Sequence, residues 1–182
     1  MRLALLTGRS SWESSALSPV QLTFLDRVAP EDWEVVRVGF PFVGEPEPYK
    51  NINILSASAR NARQVWWSVS SKLYRQYVAE RVQLLIDGAG DRLVVITGSC
   101  GLQLLNRAWP RLRVPPAMRF DVVALGPACL DPPRMRCVTV QGRKDWWSRQ
   151  FYKGKVDYYC ACGHLDYWAS EEVRGFVSGL IQ

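Results

Sequence analysis

Six apolar runs of strand length alternate with amphipathic stretches of helix length along this chain of 182 residues. The runs lack regular polar alternation, which is typical of strands that are buried on both faces of a parallel sheet. Strands that alternate with helices predict an α/β protein. We therefore expect one domain over residues 1–182, with a three-layer, mostly parallel sheet flanked by helices and strands at residues 3–7, 34–38, 93–97, 120–125, 135–141 and 156–162.

The longest helical candidate, at about residues 58–86, lies between the second and third predicted strands. Its apolar side chains recur at steps of three and four, as expected of a helix with one apolar face; they are Ala62, Trp66, Val69, Leu73 and Tyr77. The last helix is expected to begin near Ser170, whose hydroxyl can cap the helix N-terminus. Three prolines within residues 41–48 predict a loop, because proline cannot donate a backbone hydrogen bond.

The composition is that of a compact folded protein, because 48% of the residues are hydrophobic and 22% are charged. No run approaches the roughly 20 apolar residues that a membrane-spanning helix needs. The apolar start is too short for a signal peptide, so we expect a cytoplasmic protein without a membrane span. The cysteines then predict reduced thiols; they are Cys100, Cys129, Cys137, Cys160 and Cys162.

The net charge of +6 lies entirely in residues 92–182, which hold thirteen basic and seven acidic side chains. A basic half of this kind favours either a solvated surface or the attraction of an anionic substrate or partner. The arginines are scattered and no nucleic-acid-binding motif accompanies them, so we expect no nucleic acid as a partner. The sequence does not indicate an oligomeric state.

The predicted strand at residues 93–97 runs directly into a helix through the small residues Gly98-Ser99-Cys100-Gly101. Such a strand–turn–helix can form a nucleophile elbow, in which a strained residue presents its side chain at the N-terminus of a helix. With Ser99 as the nucleophile, Gly101 is the small residue that the crowded turn requires two positions later. With Cys100, the bulky Leu102 would occupy that position, so the sequence favours Ser99.

Two later strands end in residues that suit a catalytic triad. The strand at residues 135–141 leads through Gly142 to Asp145, and the strand at residues 156–162 leads through Gly163 to His164, the single histidine of the chain. Each residue alone would be an ordinary loop residue. Their order along the chain and their positions at strand ends together make them candidates for catalysis.

In this order of elbow, Asp loop and Gly-His loop, the sequence resembles the α/β-hydrolase superfamily, in particular small single-domain serine hydrolases without a separate cap domain. The resemblance implies a minimal α/β-hydrolase fold that cleaves a carboxylic ester or thioester through an acyl-enzyme intermediate. It implies Ser99 as the nucleophile, His164 as the general base and Asp145 as the residue that orients the imidazole.

The same resemblance implies an oxyanion hole made by the backbone N–H of Cys100 and a second N–H from the loop after the first strand. We expect Arg9 to supply the second donor, with Ser10 as the nearest alternative. One departure from the family pattern is Thr97, where the family usually has glycine. Two alternatives stay open: a cysteine hydrolase or acyltransferase that uses Cys100, and a non-catalytic protein of this fold that docks an acidic partner.

Aromatic residues that follow the Asp and His loops are expected to bind an apolar acyl group at the mouth of the site; they are Trp146, Trp147, Tyr167 and Trp168. Basic residues beside the same loops would suit an anionic carrier such as coenzyme A or an acyl carrier protein; they are Arg143, Lys144, Arg149, Lys153 and Lys155. We expect no cofactor and no metal, because Cys160, Cys162 and His164 lack a fourth zinc ligand. The single glycine after the first strand does not suit a dinucleotide.

Overall fold

The protein is built on one six-stranded sheet in which every strand runs parallel to its neighbours. The structure is a computed structural model that describes residues 1–11, 14–43 and 48–182. The strands are β1 (Arg2–Leu6), β2 (Glu34–Val35), β3 (Arg92–Gly98), β4 (Arg119–Leu125), β5 (Cys137–Gly142) and β6 (Tyr158–Cys160). Across the sheet they lie in the order β2-β1-β3-β4-β5-β6.

Helices cover both faces of this sheet; those in the described residues are α1 (Pro19–Val28), α2 (Ile54–Ser70), α3 (Lys72–Asp87), α4 (Gly101–Ala108), α5 (Trp146–Phe151) and α6 (Glu171–Ile181). One face packs against α1 and α6, and the other packs against α3 and α4. Alternate side chains of β1 enter the two cores, with Leu3 and Leu5 on the α1 and α6 side and Ala4 and Leu6 on the other. The predicted three-layer α/β fold is confirmed.

The two outer strands are shorter than the sequence predicts. β2 ends at Val35, and Val38 instead forms an isolated antiparallel bridge with Ala16. β6 ends at Cys160, two residues before the predicted end. Both are edge strands with a single neighbour, so the chain leaves the sheet as soon as that one ladder ends.

The long helix predicted at residues 58–86 is in fact two helices that break at Ser71. The backbone of Ser71 is extended, with φ −109° and ψ 117°, and its hydroxyl accepts a hydrogen bond from the N–H of Tyr74 at 3.1 Å. Serine competes with helical hydrogen bonding in this way and favours N-cap positions. The apolar periodicity carries no signal for such a break, because it continues across Ser71.

Four of the five residues of the apolar stripe predicted on this helix face solvent; the fifth, Tyr77, is half-buried and packs against the core. Trp66 is 67% exposed and Leu73 is 79% exposed, and Ala62 and Val69 are exposed as well. The buried face of α2 is polar instead, with Gln64 completely excluded from solvent. A surface helix usually has the opposite arrangement, with its apolar stripe towards the core.

Pro41, Phe42 and Val43 lie outside helices and strands, in agreement with the loop predicted at residues 41–48, whereas residues 44–47 of that loop lie outside the described residues. The last helix begins where the sequence predicts, since the Ser170 hydroxyl accepts a hydrogen bond from the N–H of Val173 at 3.3 Å. Within the described ranges, no helix has the length and apolar character needed to cross a bilayer.

Gly101 allows the first turn of α4 to lie against the end of β1. A Cβ atom at this position would lie 2.0 Å from the carbonyl oxygen of Leu6 and 3.3 Å from the Cβ of Thr97. The backbone oxygen belongs to a buried central strand and has little room to move. Glycine at residue 101 is therefore a packing requirement of the β3–α4 turn.

We predict that Gly101→Ala lowers the free energy of unfolding by about 2 kcal/mol or more, because the added methyl group overpacks against backbone. Gly175→Ala is the matched control, since a Cβ at this α6 position meets no atom within 4 Å. That change should instead stabilise the protein by up to about 1 kcal/mol, through helix propensity. Urea unfolding of both variants measures the difference, and equal stability of the two would contradict the proposed packing.

Candidate active site

Four loops meet at the carboxyl edge of the sheet, where α/β proteins commonly bind their ligands. Ser99 follows β3, Asp145 follows β5 and His164 follows β6, while Gly8 and Arg9 follow β1. Strand β1 lies beside β3, and the chain order reverses direction at this pair. The site therefore lies at the topological switch point of the sheet.

Ser99 occupies a strained backbone conformation at the tip of the β3–α4 turn. Its φ is 51°, and Phe42 is the only other described non-glycine residue with a positive φ. Two hydrogen bonds hold the turn: the Ser99 N–H donates to the carbonyl of Leu125 at 3.3 Å, and its carbonyl accepts from the N–H of Ala128 at 2.9 Å. Strain of this kind persists when the surrounding structure fixes it, and it is frequent at active sites.

The structure brings Ser99, His164 and Asp145 into one hydrogen-bonded row. The Nε2 atom of His164 lies 3.2 Å from the Oγ of Ser99. The Nδ1 atom of the same ring lies 2.9 Å from Oδ2 and 3.0 Å from Oδ1 of Asp145. A carboxylate at Nδ1 favours the tautomer that carries its proton there, which leaves Nε2 as an acceptor for the serine hydroxyl.

Asp145 is completely excluded from solvent, and several donors hold its carboxylate. Besides His164, the N–H of Ser148 donates to Oδ1 at 2.8 Å and the hydroxyl of Tyr167 donates to Oδ2 at 2.7 Å. Burial by itself would raise the pKa of Asp145, but the hydrogen bonds from these groups outweigh it and hold the pKa below its usual value. The carboxylate is therefore ionised at neutral pH and available to orient the imidazole.

The buried side chain of Tyr167 contacts the Asp145 carboxylate inside the core. Its hydroxyl also accepts a hydrogen bond from the N–H of Gly142 at 2.7 Å, so it links the end of β5 to Asp145. Burial raises the pKa of Tyr167, and its hydrogen bond to Asp145 adds to the effect, so the hydroxyl remains a donor. Gly126 makes room for this pair: its φ is 53°, and a Cβ there would lie 2.5 Å from the Tyr167 ring.

The loop that carries His164 is fixed on both sides. The carboxylate of Asp166 accepts from the N–H of Gly163 at 2.8 Å, and the carbonyl of Cys162 accepts from the N–H of Lys144 at 3.2 Å. The second bond joins the His loop directly to the Asp loop. Cys160 and Cys162 are buried in the core beside α1 and α6, whereas His164 faces Asp145.

Cys100 follows the nucleophile candidate but points in a different direction. Its side chain is buried, and its Sγ lies 2.5 Å from the position that a Cβ on Gly8 would occupy. Burial raises the pKa of the Cys100 thiol to about 12. A thiol in this state is a poor nucleophile at neutral pH, because the thiolate is the reactive form.

The loop after β1 is held by α2 through Gln64. The Gln64 Oε1 atom accepts from the N–H of Arg9 at 2.9 Å, and its Nε2 atom donates to the carbonyl of Arg9 at 2.9 Å. The Arg9 N–H, predicted as an oxyanion donor, is thus already engaged, and an oxyanion would compete with Gln64 for it. The Cys100 N–H donates to no backbone carbonyl in the described part of the chain.

A cavity of about 400 Å³ opens between the β1 loop and the His loop. Gly8, Arg9 and Ser10 line it on one side, and Leu165, the residue after His164, lines it on another. Most of the remaining wall is polar and rich in hydroxyl groups; it includes Ser11, Ser14, Ser15, Ser18, Tyr49 and Asn51. Polar walls of this kind fix a ligand through hydrogen bonds.

The four aromatic residues predicted at the mouth of the site occupy different places, and none is among the described residues that line this cavity. Trp146 is 68% exposed on α5 and packs edge-on against Trp147, with ring centroids 5.2 Å apart. Trp168 is half-buried and packs edge-on against Phe24. Tyr167 is buried, and its hydroxyl holds Asp145.

The sequence patterns do not predict the positioning roles of Ser148, Tyr167 and Gln64. The contact from Ser148 had a local signal, because Asp145 sits between a strand and a helix, where aspartate commonly caps the helix N-terminus. The hydroxyl of Tyr167 had no such signal, since its bond to Asp145 spans 22 positions. Gln64 lies 55 positions from Arg9, on a helix whose apolar spacing indicated burial of a different face.

The chain matches no model of a known protein family and no curated protein. The resemblance to the α/β-hydrolase superfamily therefore rests on the residues of this chain alone, in the order Ser99, Asp145 and His164. The geometry of these residues is the basis for the function proposed below.

We predict that Tyr167→Phe lowers the free energy of unfolding at pH 7 by about 1–3 kcal/mol, because buried Asp145 and Gly142 N–H both lose a partner. A carboxyl with a lowered folded pKa stabilises the fold above its unfolded pKa of about 3.9 and loses that contribution as pH falls. The stability difference between variant and wild type should therefore shrink below about pH 4.

Urea unfolding from pH 7 to pH 3 measures this dependence. Tyr158→Phe is the control, because Tyr158 donates to exposed Glu172 and is remote from the triad. Its effect should stay within about 0.5 kcal/mol, as for surface substitutions in general. A Tyr167→Phe penalty that does not change with pH would contradict the coupling to Asp145.

Proposed function

We propose that this protein is a serine hydrolase that cleaves a carboxylic ester or thioester through an acyl-enzyme intermediate. The observation that supports it most strongly is the row in which Ser99 Oγ lies 3.2 Å from His164 Nε2, with buried Asp145 2.9 Å from the other ring nitrogen. Nucleophile, base and orienting carboxylate within hydrogen-bond reach of one another are the hallmark of nucleophilic acyl transfer.

In the first step, the Oγ of Ser99 attacks the acyl carbon while His164 Nε2 takes the hydroxyl proton. The bond to the leaving alcohol or thiol then breaks, and the imidazolium returns the proton to that leaving group. A water molecule then attacks the acyl-serine ester while the same imidazole takes its proton. The bond between the acyl carbon and Ser99 Oγ breaks, the imidazolium returns the proton to Oγ, and the acid leaves. Asp145 stays ionised throughout, holds the Nδ1 proton and stabilises the imidazolium.

The negative charge that develops on the acyl oxygen must be stabilised by hydrogen-bond donors where the β3–α4 turn meets the N-terminus of α4. The N–H of Cys100 lies at the start of α4, where backbone donors and the helix dipole both favour an anion. Arg9 is the proposed second donor, and its N–H becomes available when the oxyanion replaces Gln64 Oε1. Ser10, next along the loop, is the alternative donor.

Several observations favour Ser99 over the cysteine alternative. Ser99 is partly exposed at the strained turn and contacts His164, whereas Cys100 is buried with its thiol pKa raised to about 12. A nucleophilic Cys100 would need a base near its Sγ; Gly8 and Asn61 lie on that side of the turn, and the single histidine of the chain contacts Ser99 instead. An acyltransferase or hydrolase based on Cys100 is therefore the weaker proposal.

The cavity beside the candidate site favours a substrate with a polar part; its described lining includes Arg9 and Leu165 but not the three residues of the hydrogen-bonded row. The hydroxyl-rich cavity beside the β1 loop suits a hydrogen-bonding acyl or alcohol group. The exposed pair Trp146 and Trp147 on α5 remains the proposed contact for an apolar group, with an anionic carrier such as coenzyme A or an acyl carrier protein reaching the basic residues nearby. The free thiols of all five cysteines favour a reducing, cytoplasmic location.

We predict that Ser99→Ala and His164→Ala each reduce kcat for p-nitrophenyl acetate by about 10³-fold or more, because each removes a member of one catalytic unit. Cys100→Ala is the matched control, since it changes the neighbouring side chain and leaves the triad intact. Its kcat should stay within about tenfold of wild type. Circular dichroism and thermal melting confirm that the variants are folded.

Loss of activity in Cys100→Ala with retention in Ser99→Ala would reverse the assignment of the nucleophile. A folded wild-type protein without turnover on any ester would instead favour the non-catalytic alternative.

The same assay compares esters of alkyl acids with esters of polyhydroxylated acids, and matched acyl-CoA thioesters. A polar cavity predicts higher kcat/KM for the hydroxylated series, and salt-sensitive rates on acyl-CoA would support an anionic carrier.

A further inference from the structure

Helix α2 buries two polar side chains and exposes an apolar stripe. Gln64 and Ser68 are buried, and both make hydrogen bonds inside the protein. The outward face carries five apolar residues, called here the α2 stripe: Leu55, Ala59, Ala62, Trp66 and Val69. All five are exposed, Leu55 to 77% and Trp66 to 67%. A contiguous exposed apolar surface on a folded protein marks an interaction site.

The spacing of the α2 stripe is that of a helix–helix seam. Its members follow one another at steps of four, three, four and three residues, which is the heptad pattern of the a and d positions of a coiled coil. The stripe runs for about four turns, or about 22 Å. Ala59 and Ala62 occupy its centre, where their small side chains let a second backbone approach closely.

The basic residues near the stripe have no acidic neighbour in sequence, since residues 50–79 contain five basic residues and no acidic one. Of these five, Lys50 lines the cavity and Arg60 donates to the carbonyl of Ser10, which leaves Arg63, Lys72 and Arg75 for the side of the stripe. Arg63 lies directly beside the stripe, where it stacks on the ring of Trp67 at 4.3 Å, and Lys72 follows at the start of α3. Complementary charges at the flanking positions of a helical seam decide which partner binds.

We infer that the α2 stripe is the docking site for an acidic amphipathic helix of a partner protein. A second copy of this chain is disfavoured, because it would bring two basic flanks together across the seam. An anionic membrane would match the charge. However, the narrow seam has alanine at its centre and Ser56, Ser58 and Ser70 beside it, whereas interfacial helices insert a broad, bulky apolar face.

The opposite face of the same helix holds the Arg9 loop through Gln64. The docking surface and the candidate active site thus share one helix but no residue. The docking proposal does not depend on the proposed function, and variants in the stripe should leave ester hydrolysis unchanged. Failure of one proposal is therefore distinguishable from failure of the other.

The test uses the whole protein as bait for a display library of helices at least as long as the stripe, which spans about two heptads, with leucine at a and d and Glu, Lys or Gln varied at e and g. Ala62→Glu places a charge at the centre of the seam. Leu84→Glu is the matched control, because Leu84 is an exposed apolar residue of α3 outside the stripe. Thermal melting and circular dichroism establish that both variants are intact.

We expect enrichment of helices with Glu at the flanking positions on wild type and on Leu84→Glu, and none on Ala62→Glu. For the best helix, fluorescence anisotropy should show affinity at least about tenfold weaker for Ala62→Glu and weaker binding in higher salt. Enrichment without acidic flanks, equal enrichment on Ala62→Glu, or no enrichment at all would overturn the proposal.

Two further measurements test the other occupants of the surface. Sedimentation velocity of the wild type should show a monomer, and a dimer that Ala62→Glu disrupts would overturn the proposal in favour of self-association. Vesicles of phosphatidylglycerol and phosphatidylcholine should not sediment the wild-type protein. Vesicle binding that Ala62→Glu abolishes would overturn the proposal in favour of a membrane surface.

Discussion

A carboxylate that is removed from water costs several kcal/mol unless hydrogen bonds replace its solvation. Asp145 is removed from water completely, and its two oxygens are satisfied by the imidazole of His164, the N–H of Ser148 and the hydroxyl of Tyr167. These donors come from two segments: His164 and Tyr167 both lie in the connection between β6 and α6, and Ser148 lies in the first turn of α5. One buried charge thereby joins the turn between β5 and α5 to the β6–α6 connection at the edge of the sheet.

The geometry of the site follows from this constraint and from the strained β3–α4 turn. Ser99 adopts its positive φ because Gly101 lets α4 begin against Leu6, and this conformation points the hydroxyl away from the core. Cys100, one residue later, faces the interior and loses its reactivity through burial. The backbone of this one turn therefore leaves Ser99 partly exposed beside His164 and buries Cys100.

The sequence predicts the three-layer fold, and it singles out the three residues that form the hydrogen-bonded row, because both depend on local features. Strand ends are marked by apolar runs that stop at small residues, and parallel strands bring such ends to one edge. The inverted orientation of α2 could not be predicted, since its apolar spacing indicates burial of the opposite face. The buried Gln64 is explained only by its bonds to Arg9, which lies 55 positions away.

The most direct test of the account is to locate the covalent adduct of a fluorophosphonate probe, by intact mass and peptide mapping of the treated protein. An activated serine is modified once, and unactivated hydroxyl groups are not modified. The account predicts a single adduct on Ser99 that is absent from His164→Ala and retained in Cys100→Ala. A wild-type protein without an adduct, or an adduct on another residue, would contradict the account.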